Sequence, residues 1–160
     1  MRLSVISIGR LKNGPERDLV ERYRQRVDAS GRHVGLGEFS LVELPESRAR
    51  RDDDRRIEEA AAIQARIGDG LVVAFDERGK SFSSTSFAEQ IGRWRDAGRS
   101  QVSFVIGGAD GLDASLRSRA DLVMSFGALT LPHQLVRVLV AEQLYRAITI
   151  LGGHPYHRDG

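Results

Sequence analysis

The chain has 160 residues, of which 41% are hydrophobic and 29% are charged, with a formal net charge of only +2 and no cysteine. This length predicts one domain, residues 1–160. The composition excludes a disulfide framework and a cysteine-based metal site, and the small net charge excludes a generally basic nucleic-acid-binding protein.

The first half of the chain predicts two strands, each followed by a helix. Residues 3–8 are a buried apolar run that ends at Gly9 and is not a signal peptide. Pro15 suits a helix start, and that helix is expected to reach about residue 29. Residues 39–44 form the second predicted strand, and residues 47–67 the second helix.

The helix over residues 47–67 is dense in charge, with arginines on both sides of Asp52, Asp53 and Asp54. We favour a solvated helix laced with ion pairs. Arginine also suits phosphate recognition, so an RNA-facing basic edge is the alternative, but the three aspartates argue against it. A genomic bias toward arginine codons explains the scarcity of lysine at least as well as function does.

The second half continues the alternation of strand and helix. Residues 71–75 are continuously apolar, which is typical of a strand covered on both faces, and residues 76–80 are predicted to be a loop. The remaining short elements are a helix over 83–97, a strand over 102–106, a helix over 112–119 and a strand over 122–124. This pattern predicts an α/β fold with a mainly parallel sheet and helices on both faces.

A long apolar helix follows Pro132, which suits a first helical turn, with Thr130 as its expected cap. Arg137 and other charges exclude a membrane span. Its apolar residues cover more than one face. We therefore expect one face on the sheet and another on a partner subunit, with Val140 as an interface position, and we expect the helix to end at Gly152.

Ligands bind at the carboxyl ends of strands in open parallel sheets. Three loops are expected there, after Phe75, Ile106 and Met124. The loop over residues 107–111, Gly-Gly-Ala-Asp-Gly, matches neither the Walker pattern nor G-x-G-x-x-G. A tight turn and a ligand-binding loop are therefore both open interpretations of it.

Several segments closely resemble one protein family. They are residues 127–133 (GALTLPH), 142–147 (EQLYRA) and 154–158 (HPYHR), supported by the start MRL and by FVIGG at 104–108. The chain resembles the small SPOUT (α/β-knot) methyltransferases that methylate N3 of a pseudouridine in 23S ribosomal RNA. The resemblance covers essentially the whole chain, and the C-terminal third is its most specific part.

This resemblance implies a C-terminal deep trefoil knot, a rare feature that no periodicity predicts. It also implies S-adenosylmethionine as cofactor, a homodimer, a cytoplasmic location and action on 23S rRNA in the assembled ribosome, without membrane or DNA. A SPOUT methyltransferase acting on tRNA is the alternative enzyme. A non-catalytic RNA- or ligand-binding α/β module is the alternative from another class.

The resemblance also assigns site residues by position. Cofactor contacts fall on Phe75, Gly108, Gly127, Ala128, Leu129, Thr130, Leu131 and Pro132. The family often has an aliphatic residue in place of Phe75, and often Pro-Glu in place of Ala109-Asp110, so side-chain contacts can differ there.

Methylation at N3 requires that a proton leave, which a base or a nearby cation assists. His133 and Arg137 are the catalytic candidates, and a capping or packing role for His133 is equally open. His33 is expected at the surface. The sequence contains no pattern that indicates a metal site.

The tail after the last helix combines rings and charge in His154, Tyr156, His157 and Arg158. Stacking rings beside an arginine are typical of RNA recognition, and Pro155 stiffens the segment. We expect the tail to leave the core where the pocket-forming loops gather. It would then contact RNA, not the cofactor, in its own site or the partner's.

Overall fold

A computed structural model describes residues 1–158. Its strands and helices, in chain order, are β1 (Arg2–Ile8), α1 (Pro15–Gly31), β2 (Gly37–Leu44), α2 (Asp52–Ile67), β3 (Leu71–Lys80), α3 (Ser84–Asp96), β4 (Gln101–Ile106), α4 (Ala114–Arg119), β5 (Leu122–Met124) and α5 (His133–Leu151). A short 3-10 turn, Arg32–Val34, joins α1 to β2. No helix in this range is long and apolar enough to cross a membrane.

The five strands form one sheet in the order β2-β1-β4-β3-β5, and every neighbouring pair is parallel. The predicted α/β class is therefore confirmed. Apolar side chains of α1, α3 and α5 cover one face of the sheet, and those of α2 and α4 cover the other. The central strands are buried on both sides, which explains the continuously apolar run at the start of β3.

Helix α5 lies between α1 and α3 and is apolar on two sides. Val140 is only 1% exposed and packs into the core of its own chain, so its prediction as an interface position is wrong. The opposite side of the helix carries Leu135, Val138, Leu139 and Glu142, at helical spacing and partly exposed. We call these four residues the α5 outer stripe.

Strand β3 is longer than predicted. Residues 76–80 were expected to be a loop, but Met124 of β5 pairs with both Phe75 and Lys80, and the residues between them bulge outward. A Cβ atom on Gly79 would lie 2.5 Å from the Met124 backbone. Only glycine allows two backbones to approach this closely.

Two other predicted boundaries are wrong. Helix α2 begins at Asp52, because residues 47–51 form a loop whose backbone is bound by side chains of α2. Pro132 is the N-cap of α5, and its carbonyl accepts the first helical hydrogen bond from Val136, whereas Thr130 lies in the exposed loop before it. The predicted end of α5 at Gly152 is confirmed.

Candidate functional site

A cavity of about 570 Å³ opens at the carboxyl edge of the sheet. Its walls are the bulged part of β3 around Asp76, the loops after β4 and β5, and the first turns of α2, α4 and α5. The loops after Ile106 and Met124 were predicted from the parallel sheet, whereas the expected loop after Phe75 is part of β3. This volume is within the range typical of small-molecule sites. The cavity is therefore the candidate binding site.

The loop over residues 107–111 is both a tight turn and a wall of the cavity. Gly111 donates its backbone N–H to the Gly108 carbonyl at 3.1 Å, and a Cβ on Gly107 would lie 2.7 Å from the Gly111 carbonyl carbon. A Cβ on Gly108 would meet Ile8 Cγ2 at 3.0 Å and Glu59 Oε2 at 3.5 Å. Close packing behind the loop thus favours glycine at 108.

An ion pair fixes the outer corner of this loop to α2. Arg55 donates from Nε and Nη2 to the two carboxylate oxygens of Asp110, at 2.6 and 3.0 Å. Arg56 adds a hydrogen bond of 3.5 Å to the Asp110 carbonyl. The hydrogen bonds from Arg55 lower the pKa of Asp110. Bidentate geometry makes this contact specific as well as attractive.

One wall of the cavity is a stacked aromatic pair. The rings of Phe75 and Phe126 lie 5.2 Å apart and within 8° of parallel, and both line the cavity. A charged rim lies nearby, where the nearly buried Asp76 carboxylate accepts from Arg117 at 3.3 Å and from Arg78 at 3.5 Å. Phe126 and this rim were not predicted from the sequence.

Six of the predicted cofactor contacts line the cavity: Phe75, Gly108, Gly127, Leu129, Thr130 and Leu131. Ala128 and Pro132 do not. Around Gly127 the chain turns with φ +124°, and the Ser125 hydroxyl both accepts from the Gly127 N–H and donates to its carbonyl. The structure thus brings most of the assigned residues together, while their contact with a cofactor stays a prediction.

The two catalytic candidates lie one helical turn apart on α5, and only His133 lines the cavity. Burial, and next the positive charge of Arg137, lower the pKa of His133. The neutral imidazole is therefore the favoured form, and it can accept a proton.

Arg137 lies behind the cavity, where it is 4% exposed. Its Nη2 donates to the Ile8 carbonyl, and Nη1 is 3.8 Å from Glu43 Oε1. Within the described chain, Nε and Nη1 have no hydrogen-bond partner, and burial lowers the Arg137 pKa. Buried donors without partners destabilise the fold, so this position is a candidate for a functional role.

The tail folds back onto α5. Tyr156 donates from Oη to Glu142 Oε1 at 3.1 Å, and its ring packs edge-on against Tyr145. The Arg146 guanidinium lies 4.8 Å over the Tyr156 ring and 3.2 Å from His157 Nδ1. Burial raises the pKa of Tyr156.

The expectation that the tail leaves the core beside the pocket-forming loops is wrong. The cavity lies at the start of α5, and the tail begins after its end at Leu151, a helix length of roughly 28 Å away. None of the described tail residues, 154–158, lines the cavity; His154 and Arg158 are exposed, as is His33. Among residues 1–158 no cluster of three or more His, Asp or Glu side chains could hold a metal.

Comparison with known proteins gives consistent matches over the full chain. A family model described as predicted SPOUT methyltransferase matches residues 1–157. A ribosomal RNA large subunit methyltransferase H from Methylorubrum populi is 62% identical, covering 99% of this chain and 97% of that protein. The protein of the same name from Bradyrhizobium diazoefficiens is 58% identical, covering 99% of both chains.

A solved structure supports the fold. A probable methyltransferase from Bordetella pertussis aligns with a TM-score of 0.52 at 15% identity, over 91% of this chain and 95% of that one.

Proposed function

Because the chain belongs to the SPOUT methyltransferase family, we propose that it methylates N3 of a pseudouridine in 23S rRNA on the assembled ribosome, with S-adenosylmethionine as cofactor. The observation that carries this proposal is the cavity at the carboxyl edge, whose walls hold six of the residues assigned to the cofactor. Full-length relatives named for large-subunit rRNA methylation support the choice of RNA.

The residues around the cavity fit this cofactor. The stacked pair of Phe75 and Phe126 offers a flat apolar surface for an adenine ring. The glycine loops after β4 and β5 present backbone groups that can bind polar atoms of the ligand, and Asp76 and Arg117 supply charges for its amino-acid end. When bound, S-adenosylmethionine supplies an electrophilic methyl group.

Two residues of α5 at the same edge of the sheet can assist removal of the proton from N3. His133, which lines the cavity, would take the N3 proton, and its lowered pKa keeps it neutral near pH 7. Arg137 acts through His133, because its charge opposes protonation of the imidazole. Holding acceptor and donor in line supplies much of the remaining rate.

A C-terminal knot and a cytoplasmic location belong to the same proposal.

We further propose a homodimer through the α5 outer stripe. A two-fold axis across this stripe pairs the helices antiparallel and places the tail of one protomer toward the cavity of its partner. In the described chain the tail does not reach its own cavity, so His154, Tyr156, His157 and Arg158 would contact RNA at the partner's site.

Methyl-labelled S-adenosylmethionine tests the proposal directly. The protein is incubated with 70S ribosomes, free 50S subunits, protein-free 23S rRNA or tRNA, and the labelled nucleotide is identified by mass spectrometry. We expect label at one pseudouridine of 23S rRNA in 70S ribosomes. Label on tRNA would support the alternative enzyme, and binding of the cofactor without labelling of any RNA would support the non-catalytic module.

A further inference from the structure

The loop between β2 and α2, residues 45–51, carries three exposed arginines, Arg48, Arg50 and Arg51. We call this segment the arginine loop. Within residues 1–158 no ion pair or side-chain hydrogen bond involves these three guanidinium groups. Their charges are therefore available to a partner.

The backbone of the arginine loop is held in place from α2. Glu59 accepts from the Ser47 N–H at 3.0 Å, and the Ser47 hydroxyl donates to Glu58. Arg55 Nη1 donates to the carbonyls of Ala49 and Arg50, at 3.1 and 3.0 Å. The guanidinium groups of the exposed arginines take no part in these contacts. A loop fixed in this way presents its charges with little further ordering cost.

The three aspartates that follow the arginine loop belong to α2. Asp52, Asp53 and Asp54 occupy the first turn of α2, where negative charge complements the helix dipole. Asp52 and Asp53 also pair with Arg56. The aspartates that argued against an RNA-facing edge are thus accounted for within α2.

The arginine loop adjoins the cavity through a single side chain. Arg55 binds the loop with Nη1 and binds Asp110, a cavity-lining residue, with Nε and Nη2. The next residue, Arg56, itself lines the cavity. The loop therefore stands at the carboxyl edge of the sheet, beside the proposed methyl-transfer site.

We propose that the arginine loop binds the sugar–phosphate backbone of the RNA next to the modified nucleotide, with Arg48, Arg50 and Arg51 each contacting a phosphate. This inference rests on the proposed function. A guanidinium matches phosphate geometry with two parallel donors. Because the net charge is only +2, a local cluster must supply electrostatic affinity that the whole chain cannot. Phosphate contacts of this kind set position and register, not sequence preference.

A triple variant, Arg48→Gln/Arg50→Gln/Arg51→Gln, tests the loop against a matched control. The control, Arg32→Gln/Arg66→Gln/Arg99→Gln, makes the same change of charge at exposed positions that precede β2, β3 and β4, on the opposite edge of the sheet. The KM for 70S ribosomes and retention of protein-free 23S rRNA on filters are measured over a series of salt concentrations. The affinity for S-adenosylmethionine is measured by calorimetry.

We expect the triple variant to raise the KM about tenfold or more, and to reduce the slope of log affinity against log salt by about 2 to 3, since each phosphate contact contributes about 0.7 to 0.9. Affinity for S-adenosylmethionine should match the wild type, and the control should match it throughout.

Unchanged KM and salt slope would overturn the proposal, as would a weaker affinity for S-adenosylmethionine, which would make the loop a support for the cofactor site. A defect on ribosomes without one on protein-free 23S rRNA would also overturn it, because the partner would then be a ribosomal protein. A wild-type chain that methylates no ribosome would refute the proposed function, while the salt slope of RNA binding would still decide for or against the loop.

Discussion

The proposed dimer can be tested most sharply by placing a charge in the α5 outer stripe. Leu139→Glu puts a carboxylate among the partly exposed aliphatic side chains of Leu135 and Val138. The change lies on the side of the helix that faces away from the sheet, so the core of the protomer is unaffected. Only association of two chains should suffer.

The expected loss follows from burial and symmetry. Leu139 is partly exposed in the isolated chain, and covering the rest of such a side chain contributes about 1–2 kcal/mol. A two-fold axis presents the substituted position twice, and each buried carboxylate adds its own desolvation cost. A total of about 4 kcal/mol raises the dimer Kd by about 10³-fold.

Sedimentation velocity at micromolar protein concentration measures the outcome. We expect a dimer for the wild type and a monomer for Leu139→Glu. The matched control is Ile57→Glu, which places the same charge at an aliphatic residue that is 59% exposed on α2, across the sheet, and should stay dimeric. A monomeric wild type, or a dimeric Leu139→Glu, would refute the interface.

Four further predictions concern the cavity and the tail. Arg137→Met should leave the free energy of unfolding, measured by denaturant titration, within about 1 kcal/mol of wild type, because it removes two unpaired buried donors. It should also move the acid limb of the pH–rate profile of methyl transfer to higher pH, because the charge that lowers the His133 pKa is gone. An unshifted profile would show that Arg137 does not act through His133. His133 has a folded-state pKa below its ordinary 6.5, so the wild type should lose stability as pH falls from about 6.5 to about 5, and His133→Gln should lose less over that range. Equal pH dependence of the two proteins would contradict this. Phe126→Ala should lower the affinity for S-adenosylmethionine about tenfold, as measured by calorimetry, because it removes about 0.5–1.5 kcal/mol of ring stacking as well as apolar contact. Phe82→Ala, which lies outside the cavity, should leave the affinity unchanged. Equal affinities of the two variants would show that the Phe126 ring does not contact the cofactor. Truncation after Gly153 should preserve folding, dimerisation and cofactor affinity but abolish methylation of ribosomes; full-rate methylation would make the tail dispensable, and lost cofactor affinity would place it in the pocket.

Local pattern was sufficient to predict most of the fold. The apolar run at residues 71–75 identified a doubly covered strand, and Gly152 identified the end of α5, because both effects operate over a few neighbouring residues. The extension of β3 to Lys80 could not be found in this way. Its sequence is polar, and its strand conformation depends on pairing with Met124, a tertiary contact.

The candidate site was likewise predictable only where local pattern or resemblance indicated it. The parallel sheet alone predicted which edge would carry a cavity, and the resemblance assigned six cofactor contacts that line it. The pairing of Arg55 with Asp110 spans 55 positions, so it left no local trace. The return of Tyr156 to Glu142 was equally invisible, because a tail's direction after a helix is set by the surface that it meets.

The placement of α5 between α1 and α3 has a consequence for how the domain is made. Arg137 reaches back across 129 positions to Ile8, and α5 follows all five strands and the helices that it packs against. Until α5 emerges from the ribosome, the apolar sides of α1 and α3 have nothing between them, and the part of the cavity wall that α5 forms is missing. A nascent chain that stalls before His133 would thus expose apolar surface and be inactive, and the domain can be completed only after α5 has been translated.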